Sequence, residues 1–474
     1  MKRNTNFSLL SFLFFFVIVF NTFSMISVEA RKNHSKKTKT HKYQKNKSNI
    51  ASPGSHSPAP APAPLPHYGS HPTQFSTFDV LSFNAKGNGI WDDSKALLAA
   101  WNAACKVSGA TIKIPAEFKF LIKPITLQGP CMPEITLQID GTLLAPPQAT
   151  SWPKFSLFQW INFKWVQNFT IKGSGTIDGQ GSQWWSSSQI YHMQKRSSKH
   201  IPDTKPTALR FYSSSNITVR DIRITNSPQC HLKFDSSKGI EVNNITISSP
   251  ESSPNTDGIH LQNTKDVEIQ HSNISTGDDC VSIQTGCSNV HVHNINCGPG
   301  HGISLGGLGK YKSAACVSNI VVQDISMQNT LYGVRIKTWQ GGIGTVKNVS
   351  FSRIHVSDVK VPVMIDQYYC DKHLCKNQTG TVVISGVKFE EIIGTYAVQP
   401  IHLACSNDIP CTDVDLNDIQ LRPSLNYRGF QQALCWNSYG KSQAPLQPSD
   451  IDYCLRSGGG LIRRIARSHE SVCY

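Results

Sequence analysis

The strongest constraint on this chain is internal repetition. Short β-branched segments recur, each opened by Asn, Asp or Gly: Asn216-Ile-Thr-Val, Asn244-Ile-Thr-Ile, Asp266-Val-Glu-Ile, Asn289-Val-His-Val, Asn319-Ile-Val-Val, Asn348-Val-Ser-Phe and Gly386-Val-Lys-Phe. The intervals between them are 28, 22, 23, 30, 29 and 38 residues. Asn, Asp and Gly tolerate the left-handed backbone of a sharp turn, and the alternating apolar positions that follow supply one buried face. A second segment follows 12 to 14 residues later in most repeats: Cys230-His-Leu-Lys-Phe, Asp257-Gly-Ile-His-Leu, Asp279-Cys-Val-Ser-Ile, His301-Gly-Ile-Ser-Leu, Tyr332-Gly-Val-Arg-Ile and Val361-Pro-Val-Met-Ile. Two strands per repeat, with no helical periodicity between them, describe one coil of a parallel β-helix. A β-sandwich would instead need tight hairpin turns at shorter spacing.

The expectation is therefore an all-β solenoid over residues 73–474, and a solenoid needs capped ends. Residues 93–105 predict an amphipathic helix with Leu97, Ala100, Trp101 and Ala104 on one face and Asp92 or Asp93 as its cap. That helix would close the amino end, and the cysteine-rich tail beyond Cys405 the other.

Stacked coils bring equivalent residues to about 4.8 Å from one another, the strand spacing of a sheet. The second segments then predict neighbours. Leu261, Ile283, Leu305 and Ile336 line the interior, while His260, Ser282, Ser304 and Arg335 point outward, with Lys337 on the face of Arg335. Asp257, Asp279 and His301 fall at the bend entering each strand, and Asp278 precedes Asp279 in the same bend. Three carboxylates, a histidine, a guanidinium and an ammonium thus converge on one external face. Taken singly, Asp278-Asp279 is ordinary turn chemistry, His301 is one of 17 histidines, and Arg335-x-Lys337 is a solvated surface. Taken together, they are harder to dismiss, because carboxylates stacked one coil apart repel, and that cost is tolerated most readily where chemistry uses it. Glycoside hydrolysis needs one carboxyl to protonate the leaving oxygen and another to activate water, about 6.5–9.5 Å apart when the configuration inverts. Arg335 and Lys337 suit a sugar carboxylate, hence a uronic-acid polymer.

The net charge of +15 is unevenly spread: residues 1–50 hold ten basic groups and one acid, leaving +6 for the remainder. That disfavours a nucleic-acid binder. Lys2 and Arg3 precede an apolar run from Leu9 to Phe20, with small residues Val28 and Ala30 before a cleavage point. Residues 1–30 read as a secretory signal peptide, too short in its apolar run to span a membrane. Residues 31–72 read as a basic, then Pro/Ala-rich linker: a tether to an acidic extracellular polymer, a solvated spacer or a removed pro-segment. Fourteen cysteines form an even set, and the lack of paired CxxC spacings favours disulfides over zinc, including at Cys370-x4-Cys375. Outside the signal peptide, eight Asn-x-Ser/Thr sequons, at Asn33, Asn46, Asn168, Asn216, Asn244, Asn273, Asn348 and Asn377, suggest a secreted glycoprotein.

Four motifs in order, Asn255-Thr-Asp257, Gly277-Asp278-Asp279, Gly300-His301-Gly302 and Arg335-Ile-Lys337, make residues 75–474 resemble a plant polygalacturonase of glycoside hydrolase family 28. The opening segment Ala85-Lys-Gly-Asn-Gly-Ile-Trp-Asp-Asp-Ser is also similar, with Asn88 where Asp is commoner. The resemblance implies a right-handed parallel β-helix of the pectin lyase-like type. It implies Asp278 as proton donor, Asp257 and Asp279 holding and deprotonating the attacking water, and His301 supporting the protonation of the acid. Arg335 and Lys337 would bind galacturonate carboxylates, Asn255 belongs to the first motif, and Tyr369 matches a substrate-contacting tyrosine. It further implies disulfides Cys280–Cys297 and Cys405–Cys411, no metal or cofactor, pectic homogalacturonan as the partner, and a monomer active in the cell wall. Internal cleavage is favoured over attack from chain ends. A pectate lyase on the same fold, or a silent pectin-binding wall protein, are the rival readings.

Overall fold

Every strand pairing between successive coils is parallel, and each coil sits on the one before it. The computed structural model describes residues 76–152, 159–186, 205–371, 375–425, 432–457 and 471–473. The signal peptide and linker expected over residues 1–72 lie outside them. His71–Tyr474 forms one compact unit. Its described strands fall into an 11-stranded parallel sheet running from Ile125–Gln128 to Leu434–Trp436 and a 19-stranded sheet wrapping the rest of each coil. This is a parallel β-helix.

The larger sheet corrects the count of two strands per repeat. It holds two columns, so each coil has three strands. Ser215–Arg220 pairs with Lys238–Asn243, whereas Arg223–Thr225 pairs with Thr246–Ser248. From Lys265–Ser275 onward the two columns fuse into single long strands bent at one left-handed residue, such as His271 or Asn294. The first repeat column is also corrected at one member. Asn244 belongs to the second bend, beside Asp221; the residue that stacks between Asn216 and Asp266 is Gly239, at φ +67°. Asn-Ile-Thr-Ile and Asn-Ile-Thr-Val are locally alike, and only the register distinguishes which corner each one turns.

The corner residues do more than bend the chain. Asn168, Asn216, Asp266, Asn289, Asn319 and Asn348 all have φ between +49° and +57°. Their side chains join coil to coil: Asn216 donates to Asn168 (3.0 Å), Asn289 to Asp266 (2.8 Å), Asn319 to Asn289 (3.0 Å) and Asn348 to Asn319 (2.7 Å). A ladder asparagine followed by a strand with outward Ser or Thr spells a sequon, so the density of that motif has a structural source.

Inside, Phe163, Phe211 and Phe234 stack at 4.8 and 5.1 Å between ring centroids, and Leu261, Ile283, Leu305 and Ile336 continue the file, all buried. The predicted helix is Ser94–Ala104; Leu97, Ala100, Trp101 and Ala104 are buried, and Trp101 packs 5.4 Å from Phe169 and 5.9 Å from Phe163. Burying each such large side chain contributes about 1.5–3 kcal/mol. Asp93 occupies the capping position, but its carboxylate holds the backbone of Lys86 (2.7 Å) and Gly87 (3.0 Å); Asp92 accepts the Ser94 N–H (3.1 Å). At the other end Ile451 is buried in the turn Ser449–Tyr453, Cys435–Cys454 staples that turn to the last strand of the smaller sheet, and Cys316–Cys473 ties the last described turn, Ser471–Cys473, back to an earlier coil.

Six disulfides form, including Cys280–Cys297, Cys405–Cys411 and Cys370–Cys375. Cys230 and Cys287 stay free, which the even count did not anticipate; both are buried and pack as small apolar side chains.

Asn319 both accepts from and donates to the ladder at φ +57°. Asn319→Ala should cost about 2 kcal/mol, through a strained backbone and lost hydrogen bonds, and Asn319→Gly about half that, in urea unfolding. Equal losses would mean that the left-handed corner carries no strain.

Candidate active site

Three successive turns on one edge of the smaller sheet build the site. They precede strands Ile259–Gln262, Val281–Ile283 and Ile303–Leu308 and carry Asp257, Asp278 with Asp279, and His301. The turns are latched to one another. Thr256 Oγ1 accepts the Gly277 N–H (3.0 Å), Gly258 N–H donates to the Asp279 carbonyl (2.9 Å), and His301 N–H donates to the Asp278 carbonyl (2.8 Å). The motif glycines permit this closeness. A Cβ on Gly277 would lie 1.9 Å from the Ser253 carbonyl oxygen, and one on Gly302, at φ +84°, 2.2 Å from those of Tyr332 and Gly333. The Cys280–Cys297 disulfide ties down the residue that follows Asp279.

Asp279 is almost wholly buried and fully partnered. Its Oδ1 accepts from Ser304 Oγ (2.8 Å) and Arg335 Nη2 (2.7 Å), and its Oδ2 faces Lys337 Nζ at 3.1 Å. Burial opposes its ionisation, but the Arg335 and Lys337 charges outweigh it and hold the carboxyl well below the usual range. Arg335 and Lys337 therefore enter the site already paired. Arg335 also donates through Nε to Ser304 Oγ (2.6 Å) and lies 4.1 Å over the Tyr332 ring.

Asp278 sits between two partners. Its Oδ1 is 3.0 Å from His301 Nδ1 and also accepts the Asp279 N–H (2.8 Å), while Asn255 Nδ2 reaches Oδ2 at 3.3 Å. Asp257 has the opposite environment from Asp279. Burial and then the neighbouring Asp278 charge raise its pKa, against a hydrogen bond from His260 (3.2 Å). One coil apart, two carboxyls are driven in opposite directions. Tyr369 lies with its ring 5.4 Å from Lys337 Nζ and edge-on to Trp339, also at 5.4 Å. The sequence-derived residues thus form one contiguous group.

Three contributors carried no assigned role in the sequence reading. His260 and Ser304 were placed outward, and the pairing series His260–Ser282–Ser304–Arg335 is the signal that puts them beside the acids. His231 follows Cys230; fully buried, it reaches the Asp257 carbonyl (3.0 Å) and Ser249 Oγ (2.8 Å), and burial pushes its pKa down to about 4. On the amino-terminal side a recess of about 450 Å³ is lined by Arg210, Lys233, Asn255, Asp257 and His260. Ligand atoms of Asp278, Asp279 and His301 lie within 4.8 Å of one another, a spacing open to a cation, although Arg335 and Lys337 already neutralise Asp279.

Residues 105–438 match glycosyl hydrolases family 28. The chain belongs to that family. Among family relatives, a probable polygalacturonase of Arabidopsis thaliana is 39% identical over 412 residues, covering 85% of this chain and 90% of its own. Polygalacturonase-2 of Solanum lycopersicum is 41% identical over 347 residues, covering 72% and 74%. The fold is similar to that of an endo-xylogalacturonan hydrolase from Aspergillus tubingensis, with TM-score 0.64 and 22% identity over 81% of this chain and 99% of the other. A polygalacturonase from Erwinia carotovora gives TM-score 0.59 and 22% identity over 82% and 98%. For this family member the motif residues therefore stand on a β-helix shared with solved hydrolases.

Because the folded His231 pKa of about 4 lies below the ordinary imidazole value, its contribution is complete at neutral pH and lost as pH falls from about 6.5 to 4. Denaturant titrations should show roughly 3 kcal/mol of acid destabilisation from this group. His231→Gln should flatten that slope; an unchanged slope would remove His231 as its source.

Proposed function

We propose that this protein is a polygalacturonase that cleaves α-1,4-galacturonosidic bonds within polygalacturonic acid, by a single inverting displacement, outside the cell. The observation that carries the reading is the meeting of three carboxylates from adjacent coils with Arg335 and Lys337 in one contiguous group. Family membership and the polygalacturonase names of the relatives agree with it.

In the proposed reaction Asp278 gives its proton to the glycosidic oxygen. The His301 ring, 3.0 Å from Oδ1, supports the protonated form and can return the proton after each turnover. Asp257 and Asp279 hold the attacking water from the opposite side. Asp279, pinned in its ionised form, serves mainly to orient that water, and Asp257, with its raised pKa, is the better-matched base. Arg335 and Lys337 keep donors beyond those committed to Asp279 and would take the galacturonate carboxylates, with Tyr369 against the sugar and Asn255 holding Asp278.

Internal cleavage is favoured because cationic positions flank the acids on both sides. Arg210 and Lys233 line the recess toward the amino end, and Arg335 and Lys337 stand on the carboxyl side. A polyanion could then cross the acids instead of ending at them. Secretion is supported by the charged and apolar start of the chain and by six disulfides.

Asp278→Asn should lower reducing-sugar release from polygalacturonate by about 10²–10⁴-fold, with KM little changed. Full activity in that variant would refute the acid assignment. Product sizing on the unsubstituted enzyme should give a ladder of oligomers; monomer alone would mean attack from chain ends.

A further inference from the structure

The larger sheet carries a second cluster of titratable side chains that the hydrolytic reading does not use. His291 and His293 are two residues apart on strand Ser288–Cys297, so both project from the same face. Pairing places Glu268 of the preceding coil directly beside His291. His291 Nδ1 lies 3.0 Å and His293 Nε2 2.6 Å from the same oxygen, Glu268 Oε1, and the two rings stack with centroids 4.3 Å apart.

We propose that Glu268, His291 and His293 form a binding site for a zinc ion. Imidazole nitrogen and carboxylate oxygen are zinc donors, and three such ligands with an open fourth position are a recurring coordination set. Bonds of about 2.0–2.2 Å in a tetrahedron place donor atoms roughly 3.3 Å apart; the two nitrogen–oxygen distances need only a slight expansion to reach that, and all three donor atoms already lie within 4.8 Å of one another. Glu268 and His291 also help to line a groove of about 870 Å³, which leaves room for water as a fourth ligand.

Glu268 holds both imidazoles, His293 Nε2 at Oε1 (2.6 Å) and His291 Nδ1 at Oε2 (3.2 Å), and His291 Nε2 is buried with no hydrogen-bond partner, so that ring is held through Nδ1. Asn294 Nδ2 lies 2.8 Å from His293 Nδ1. A half-turn of that amide would bring its oxygen to the ring and fix the tautomer whose Nε2 lone pair points into the cluster, as partners of metal-bound histidines do. Neighbouring coils add negative charge: Glu241 pairs beside Glu268, and Asp324, itself bridged to Arg353, acts electrostatically on both imidazoles.

Calorimetric titration of zinc chloride into the full protein at pH 7.5 tests this. One equivalent should bind, and binding should weaken more than tenfold at pH 5, because protons compete for the imidazoles. His293→Ala and Glu268→Gln should each weaken it at least tenfold, with thermal unfolding of the zinc-free variants confirming that they fold. Asp278→Asn should leave it unchanged, which separates this site from the Asp278–Asp279–His301 cluster. No binding at millimolar zinc, binding indifferent to both surface substitutions, or binding abolished by Asp278→Asn would each overturn the proposal.

Discussion

In-register parallel pairing of successive coils is the constraint on which everything else rests. A slip of one residue would exchange the inner and outer faces of a strand, turning Leu261, Ile283 and Leu305 to solvent and His260, Ser282 and Ser304 into the interior. The left-handed corners with their asparagine ladder, and the file of stacked phenylalanines, fix that register from opposite sides of the backbone. Because register is fixed, residues more than twenty positions apart in sequence become neighbours about 4.8 Å apart, and chemistry can be assembled one residue per coil.

The acids show what that proximity does. Asp257 and Asp279 occupy equivalent bends, yet their environments separate them. Asp279 receives a serine, a guanidinium and an ammonium from the following coils, whereas Asp257 has one imidazole and a neighbouring carboxylate. Their pKa values are consequently pushed apart, the arrangement by which one kind of side chain serves different protonation roles in a single site. Arg335 and Lys337 act structurally in this scheme: without them the burial of Asp279 would leave an uncompensated charge, which costs several kcal/mol.

Much of this was legible in the sequence, for a physical reason. Left-handed corners restrict the residue type, and buried strands alternate, so Asn289 or Asn319 followed by β-branched residues announces a coil, and Asp257, Asp279 and His301 align by counting. What could not be read was whatever depends on which corner a local pattern occupies. Asn244 reads by sequence as a member of the first column, and the third strand of each coil is hidden, because short strands such as Arg223–Thr225 fuse with their neighbours later in the chain. Likewise Cys230 and Cys287 look like disulfide partners by number alone, and His231 like any histidine; burial decides their roles, and it emerges only when coils stack. The pairing of Arg335 and Lys337 with Asp279 follows the same logic, since charge partners on successive coils compete with ligand binding in ways that a motif does not express.

If acids from adjacent coils act across a single water in one displacement, as proposed, hydrolysis must invert the anomeric configuration. Proton NMR of the newly formed reducing end, recorded before mutarotation, should show the β-anomer released from the α-linked polymer. The α-anomer appearing first would require a covalent intermediate on one of these carboxylates and would contradict the account.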